Sequence, residues 1–170
     1  MTSIPVASIG QILLRELDTL RTEVEAYERD EDLWKAFPGV ANSGGTLALH
    51  LCGNLRHYVG FHLGGVPYVR DRAAEFSQRD LPKAEILQRI QAARDVVEST
   101  LPHLDSQRLA ADFPEKVGGF TLNTADFLAH LASHLGYHLG QMDYHRRLTS
   151  TSTSSVNAVS VAALNPARKS

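Results

Sequence analysis

SGGTLALHLCGNLRHYVGFHLGG, residues 43–65, carries one arginine and no acidic residue over its whole length. Leu47, Leu51, Leu55 and Tyr58 recur at helical spacing, and His50, Asn54, His57 and Phe61 make a second stripe beside them. A helix that is apolar nearly all round belongs at the centre of a bundle. Ser43 is a suitable N-cap, and Gly64-Gly65-Val66-Pro67 breaks the segment at its far end. Gly53 and Gly60 work against it, since an interior glycine costs a helix roughly 1 kcal/mol.

The flanking segments supply partners for such a helix. Ile9, Leu13, Leu17, Leu20, Val24 and Tyr27 predict an amphipathic helix from about Ser8 to Glu28, followed by a loop through Trp34 and Phe37. Residues 66–80 read as a charged connection, with Asp80 placed to cap a third helix and Pro82 tolerated in its first turn. Ile86, Ile90, Ala93, Val97 and Leu101 form that helix's buried stripe, and residues 103–123 read as a long loop ending in a Gly118-Gly119 turn. A fourth helix runs from Asn123 or Thr124 to about Leu148, with Asn123 and Asp126 as a reciprocal cap. Phe127, Leu131, Leu135 and Met142 are its apolar stripe. No strand pattern and no internal repeat stands out. The expectation is an all-α four-helix bundle in one domain, residues 1–148, followed by a tail, residues 149–170, that opens with seven Ser or Thr and is expected to be flexible.

Composition excludes several classes of partner. With 43% hydrophobic and 21% charged residues and a net charge of −2, nothing favours nucleic acid or an anionic membrane surface. No apolar run is long enough to span a bilayer, and MTSIPVASIG lacks the pattern of a signal peptide. Cys52 is the one cysteine, so no internal disulfide can form, and a reducing cytoplasm is the expected setting.

Histidine is the unusual component. Three of the eight lie between residues 50 and 62, and four lie between 130 and 145. In HLASHLGYHLGQ, residues 130–141, His130, His134 and His138 follow one another at steps of four. Such neighbours share a helix face, so His134 and His138 can grip one cation together. The third ligand has to come from another helix, and His50 sits near the start of the apolar one. Three neutral imidazoles suit Zn, Ni, Cu or Fe and leave at least one coordination position open. Leucine rather than glutamate follows both His130 and His134, which argues against a zincin-type protease, and no Glu-x-x-His occurs to build a di-iron centre. A polar helix face explains an i, i+4 pair equally well, and spacing leaves the two readings level.

GNLRHYVGFHLGG (53–65), RDRAAEF (70–76) and HLGYHLGQMDYHRR (134–147) together resemble the DinB/YfiT-like superfamily over roughly residues 8–148. The most specific piece is His-x-x-x-His-x-Gly-Gln, here His134, His138, Gly140 and Gln141. The resemblance implies a four-helix bundle of up-down-down-up topology, usually a homodimer. It implies one divalent metal, commonly Zn or Ni, held by His50, His134 and His138. Many members carry Arg before the closing Gly-Gln, where this chain has Leu139, so its substrate is expected to differ. Characterised members include thiol-dependent transferases and a mycothiol-dependent isomerase.

Around that trio several residues have two readings each. Asn54 could orient a water at the metal or make a polar bundle contact; His57 could line the cavity or be a hydrogen-bonded core histidine. His130 reads as a solvent-edge residue or a substrate contact, and Gln141 as a loop cap or the group that fixes a His tautomer. Trp34 and Tyr58 could wall a pocket or simply pack. Arg70 and Arg72, with Asp71 and Glu75, could bind an anionic substrate or form an ion-paired, solvated crossover. Cys52 lies on a different side of its helix from His50 and reads as packing; His62 and His145 read as structural or exposed. Two functions remain open. One is a metal-dependent transferase or hydrolase that activates a small-molecule thiol or water. The other is a non-catalytic, metal-stapled dimer with a binding or stress-response role.

Overall fold

Leu13, Leu17, Leu20 and Val24 are fully buried, so the first periodic stripe is the inner face of helix α1, Val6–Glu25. The computed structural model describes residues 6–150, 155–156 and 158–164. Most of the 149–155 Ser/Thr run falls outside them; further on, residues 161–163 make one 3₁₀ turn. The described chain is all helical, with two isolated β-bridges and no strand.

Helix α2 spans Gly44–Leu55, and every one of its residues is buried. Ser43 caps it as expected, its hydroxyl accepting from Thr46 N at 3.2 Å. The expected helix does not continue as α-helix to residue 65. From Arg56 to Phe61 it relaxes into a π-helical turn, with His62 N donating to His57 O at 3.2 Å. Gly60 sits in this turn where an added Cβ would press on Val96 at 3.2 Å, so the missing side chain lets the neighbouring helix approach.

The charged connection contains a short helix, α3, Arg72–Ser77, capped by Asp71, whose carboxylate accepts from Ala74 N at 2.9 Å. Helix α4, Lys83–Thr100, buries Ile86, Ile90, Ala93 and Val97. Asp80 does not cap it. Asp80 adopts φ 60°, which turns the chain, and the carboxylate that accepts from Lys83 N at 3.1 Å belongs to Asp30. The expected 103–123 loop also holds structure: helix α5, Ser106–Ala110, and a turn closed by bridges between Asp112 and Asn123 and between Val117 and Phe120. Helix α6, Thr124–Thr149, begins at Asn123, whose side chain accepts from Asp126 N at 2.8 Å and donates to Asp126 Oδ2 at 2.6 Å.

Helix α1 packs against α4 and α6, and α2 packs against the same two, so α4 and α6 each lie between α1 and α2. The core is leucine-rich, and each fully buried leucine contributes about 1.5–3 kcal/mol of transfer free energy. No helix among the described residues is long and apolar enough to cross a membrane.

Candidate metal centre

His50 is buried on α2, and half-buried His134 and His138 face it from α6. The Nε2 atoms of His50 and His134 are 3.3 Å apart. The rings of His50 and His138 have centroids 5.5 Å apart, and those of His134 and His138 4.5 Å. One nitrogen from each of the three lies within 4.8 Å of the others, so the group could hold a metal ion. Two nitrogens bound tetrahedrally at about 2.0–2.1 Å would be roughly 3.3 Å apart, which the His50–His134 pair already matches.

The other ring nitrogens fix which atoms point at this centre. His50 Nδ1 donates to Glu75 Oε2 at 3.0 Å, leaving its Nε2 lone pair directed at His134. Glu75 is itself held by Arg70, whose Nε and Nη2 donate to its two oxygens at 2.7 and 2.9 Å. Burial raises the Glu75 carboxyl, but hydrogen bonds from His50 and Arg70 outweigh it and keep the group below the usual carboxylate range. On α6, His138 Nδ1 donates to Gln141 Oε1 at 2.7 Å, which frees its Nε2 in the same way. Burial, with the neighbouring histidines, pushes His134 down to about 4, and burial also lowers His138. Neutral, lone-pair-bearing imidazoles are the form a cation requires. The donors are all nitrogen, which fits a borderline transition ion such as Zn or Ni better than Mg or Ca.

The remaining sequence candidates divide. Gln141 orients His138. Arg70 reaches the centre through Glu75, with both donating arms of its guanidinium committed there, rather than as a free anion receptor. Arg72 stacks at 5.7 Å over Phe76, the ring that covers His50 at a centroid distance of 5.0 Å. Tyr58 lies under Arg70, 5.4 Å from the guanidinium carbon, and packs on Phe127. His130 is exposed, its ring stacked on Phe127 and 6.1 Å from that of His134. Asn54 is buried one turn after His50. Trp34 donates to Leu81 O at 3.0 Å and belongs to the core cluster. His57 and His62 both meet Glu115 instead of the trio. His145 is a buried structural residue, accepting from Tyr27 OH at 2.8 Å and donating to Lys35 O at 2.9 Å. Cys52 is buried, its thiol pushed up to about 12 by that burial, which leaves it inert.

In the sequence Glu75 reads as part of a charged crossover, and nothing there singles out Phe76 or Glu115. Glu75 is 25 residues from His50, on a separate helix, and no periodicity connects the two. The available signal was Asp71: an N-cap aspartate predicts a short helix from Arg72, which places Glu75 and Phe76 on a helix rather than in a solvated crossover.

The model of the DinB superfamily matches residues 12–142. A crystal structure of a DinB-like protein from Bacillus cereus ATCC 10987 superposes with a TM-score of 0.67 at 18% identity, covering 87% of this chain and 95% of that one. At that identity the likeness speaks for the fold. No curated protein matches significantly. An all-helical structure and a family match over more than three quarters of its length agree: this chain belongs to the DinB superfamily.

Proposed function

We propose that the protein binds one divalent cation, Zn or Ni, through His50, His134 and His138 in a four-helix bundle of up-down-down-up topology, and that it is a metal-dependent, thiol-using transferase or a hydrolase. The observation that carries the reading is the orientation of the trio. Glu75 and Gln141 each take an Nδ1 proton, which leaves the Nε2 lone pairs of His50 and His138 free, and one ring nitrogen from each of the three histidines lies within 4.8 Å of the others. Groups that fix a tautomer in this way are the usual outer shell of metal-binding histidines.

When bound, a divalent cation supplies a Lewis acid that lowers the pKa of a thiol or of water. The chain's own residues do the rest. Glu75, anchored by Arg70, holds the His50 ring and compensates positive charge in the buried centre. Phe76 shields His50 from one side. Gln141 joins the centre to a groove of about 570 Å³ lined by Tyr137, Gly140, Tyr144 and Leu148, where a substrate's organic part would lie. Tyr137, Tyr144 and Leu148 are also exposed along α6, a face suited to a homodimer. A cytoplasmic setting, where small thiols stay reduced, completes the reading.

A second reading has its own support. His50 comes from α2 and its partners from α6, so a bound ion would staple two helices whether or not chemistry follows. The deciding experiment loads the protein with Zn or Ni and assays low-molecular-weight thiols against alkyl and epoxide electrophiles, beside an ester, amide and lactone panel. Turnover lost in His134→Ala supports the enzyme. Stoichiometric metal with neither thiol binding nor turnover would sink the enzyme, and a melting temperature that falls strongly on chelation would support the staple.

A further inference from the structure

We infer that His57, His62 and Glu115 form a second divalent-cation site, separate from the centre at His50, His134 and His138. Two histidines from one helix turn and a carboxylate from a distant loop converge there. His57 Nε2 and His62 Nε2 both lie 2.7 Å from the same oxygen, Glu115 Oε2, and one ligand atom from each residue lies within 4.8 Å of the others.

The backbone accounts for the convergence. In an ordinary α-helix, residues five apart point about 140° away from each other. In the π-helical turn, His62 N donates to His57 O, which brings these two residues one above the other, with ring centroids 4.8 Å apart. Such turns are rare and often mark functional positions. The carboxylate is delivered by an anchored segment. Phe113, two residues before Glu115, is buried against Tyr58, His62 and Phe127. Two residues after Glu115, Val117 pairs with Phe120. Arg108 donates to His62 O at 3.2 Å from the same connection.

Two imidazoles and one carboxylate make a frequent ligand set for Zn and other first-row divalent ions, with open positions for water. Glu115 is 39% exposed, so those positions face solvent and an ion can enter. His57 Nδ1 is buried with no hydrogen-bond partner among the described residues, where polar contacts hold that ring at Nε2, the atom at which the three residues meet. His57 lies two turns beyond His50, about 10 Å along the helix axis, so the sites do not share an ion. A cation here would tie the end of the second long helix to the 112–123 segment.

The test uses the full-length, untagged protein with Zn²⁺ alone as probe. In a His134→Ala/His138→Ala double variant, equilibrium dialysis with elemental analysis should find about one equivalent of Zn²⁺ remaining. Adding His62→Asn or Glu115→Gln should weaken that binding at least about 10-fold, the low end for disturbing a metal site. Should circular dichroism show the double variant unfolded, the same single changes in the wild-type background decide: two equivalents falling to one supports the site. Stoichiometry and affinity unchanged by both His62→Asn and Glu115→Gln would overturn it and leave the cluster as an ion pair that tethers the loop.

Discussion

Glu75 lies directly against the backbone of Gly53: a methyl group added there would overlap Glu75 Oε1 and sit 2.7 Å from its carboxyl carbon. A glycine that weakens its own helix therefore makes room for the carboxylate that orients His50. Gly53→Ala should weaken metal binding by about 10- to 100-fold, as losing an outer-shell partner typically does, with all three candidate ligands intact. Glu75→Gln should act in the same direction. Competition with a chromophoric chelator measures both, and wild-type affinity in Gly53→Ala would detach Glu75 from the metal.

Acid should destabilise the metal-stripped protein before its carboxylates titrate. Burial holds His134 at about 4 instead of 6.5, and burial lowers His138 and His145 as well. Between those limits the unfolded chain binds protons that the folded chain refuses, so stability rises with pH. The contribution is complete above about 6.5 and is lost as the pH falls towards 4. Urea midpoints at pH 7.5, 6 and 5 should fall in that order, with a shallower fall in His134→Ala. A flat profile in the wild type would contradict the burial of these rings.

Helix α4 takes its N-terminal partner from far along the chain. Asp30 accepts from Lys83 N, while Lys83 Nζ donates to Tyr27 O at 2.7 Å. Asp30→Ala should cost about 1 kcal/mol, the usual value for a lost cap, and lower the melting temperature. Asp80→Ala should remove no cap. Equal thermal shifts caused through a cap at Asp80 would reverse that assignment.

A buried ion pair fastens α6 to α1. Arg146 Nε donates to Glu23 Oε2 at 2.5 Å, and the two side chains are 2% and 1% exposed. Glu23→Ala would leave the buried Arg146 guanidinium with Asp143 at 2.9 Å but without the bond at Nε, so a loss of about 1–3 kcal/mol is expected in denaturant unfolding. Metal stoichiometry of the folded variant should not change, since neither residue touches the histidine trio.

The sequence conveyed what is periodic. Stripes such as Leu13–Leu17–Leu20 and Ile86–Ile90–Val97 marked helices because burial repeats with the helical turn, and Ser43 and Asn123 marked their starts. The pairing of His134 with His138 was visible for the same reason, and the family resemblance agreed with His50 as the third residue. What depends on contact across the chain was not visible. Asp30 displaced Asp80 as the cap because the fold brings a residue 53 positions away into reach. The π-helical turn at Arg56–Phe61 leaves no trace in a hydrophobic pattern, so the approach of His57 to His62 and Glu115 was hidden, as was that of Glu75 to His50.

The proposed centre has three histidines from two helices holding one ion. The direct measurement is elemental analysis of untagged protein, supplied with Zn or Ni, beside His50→Ala, His134→Ala and His138→Ala. Metal is expected in the wild type at that centre, with one equivalent lost in each of the three variants while the helical circular dichroism spectrum is kept. Wild-type protein that takes up no metal, or variants that keep all of it, would rule the centre out and leave His134 and His138 as a polar face of α6.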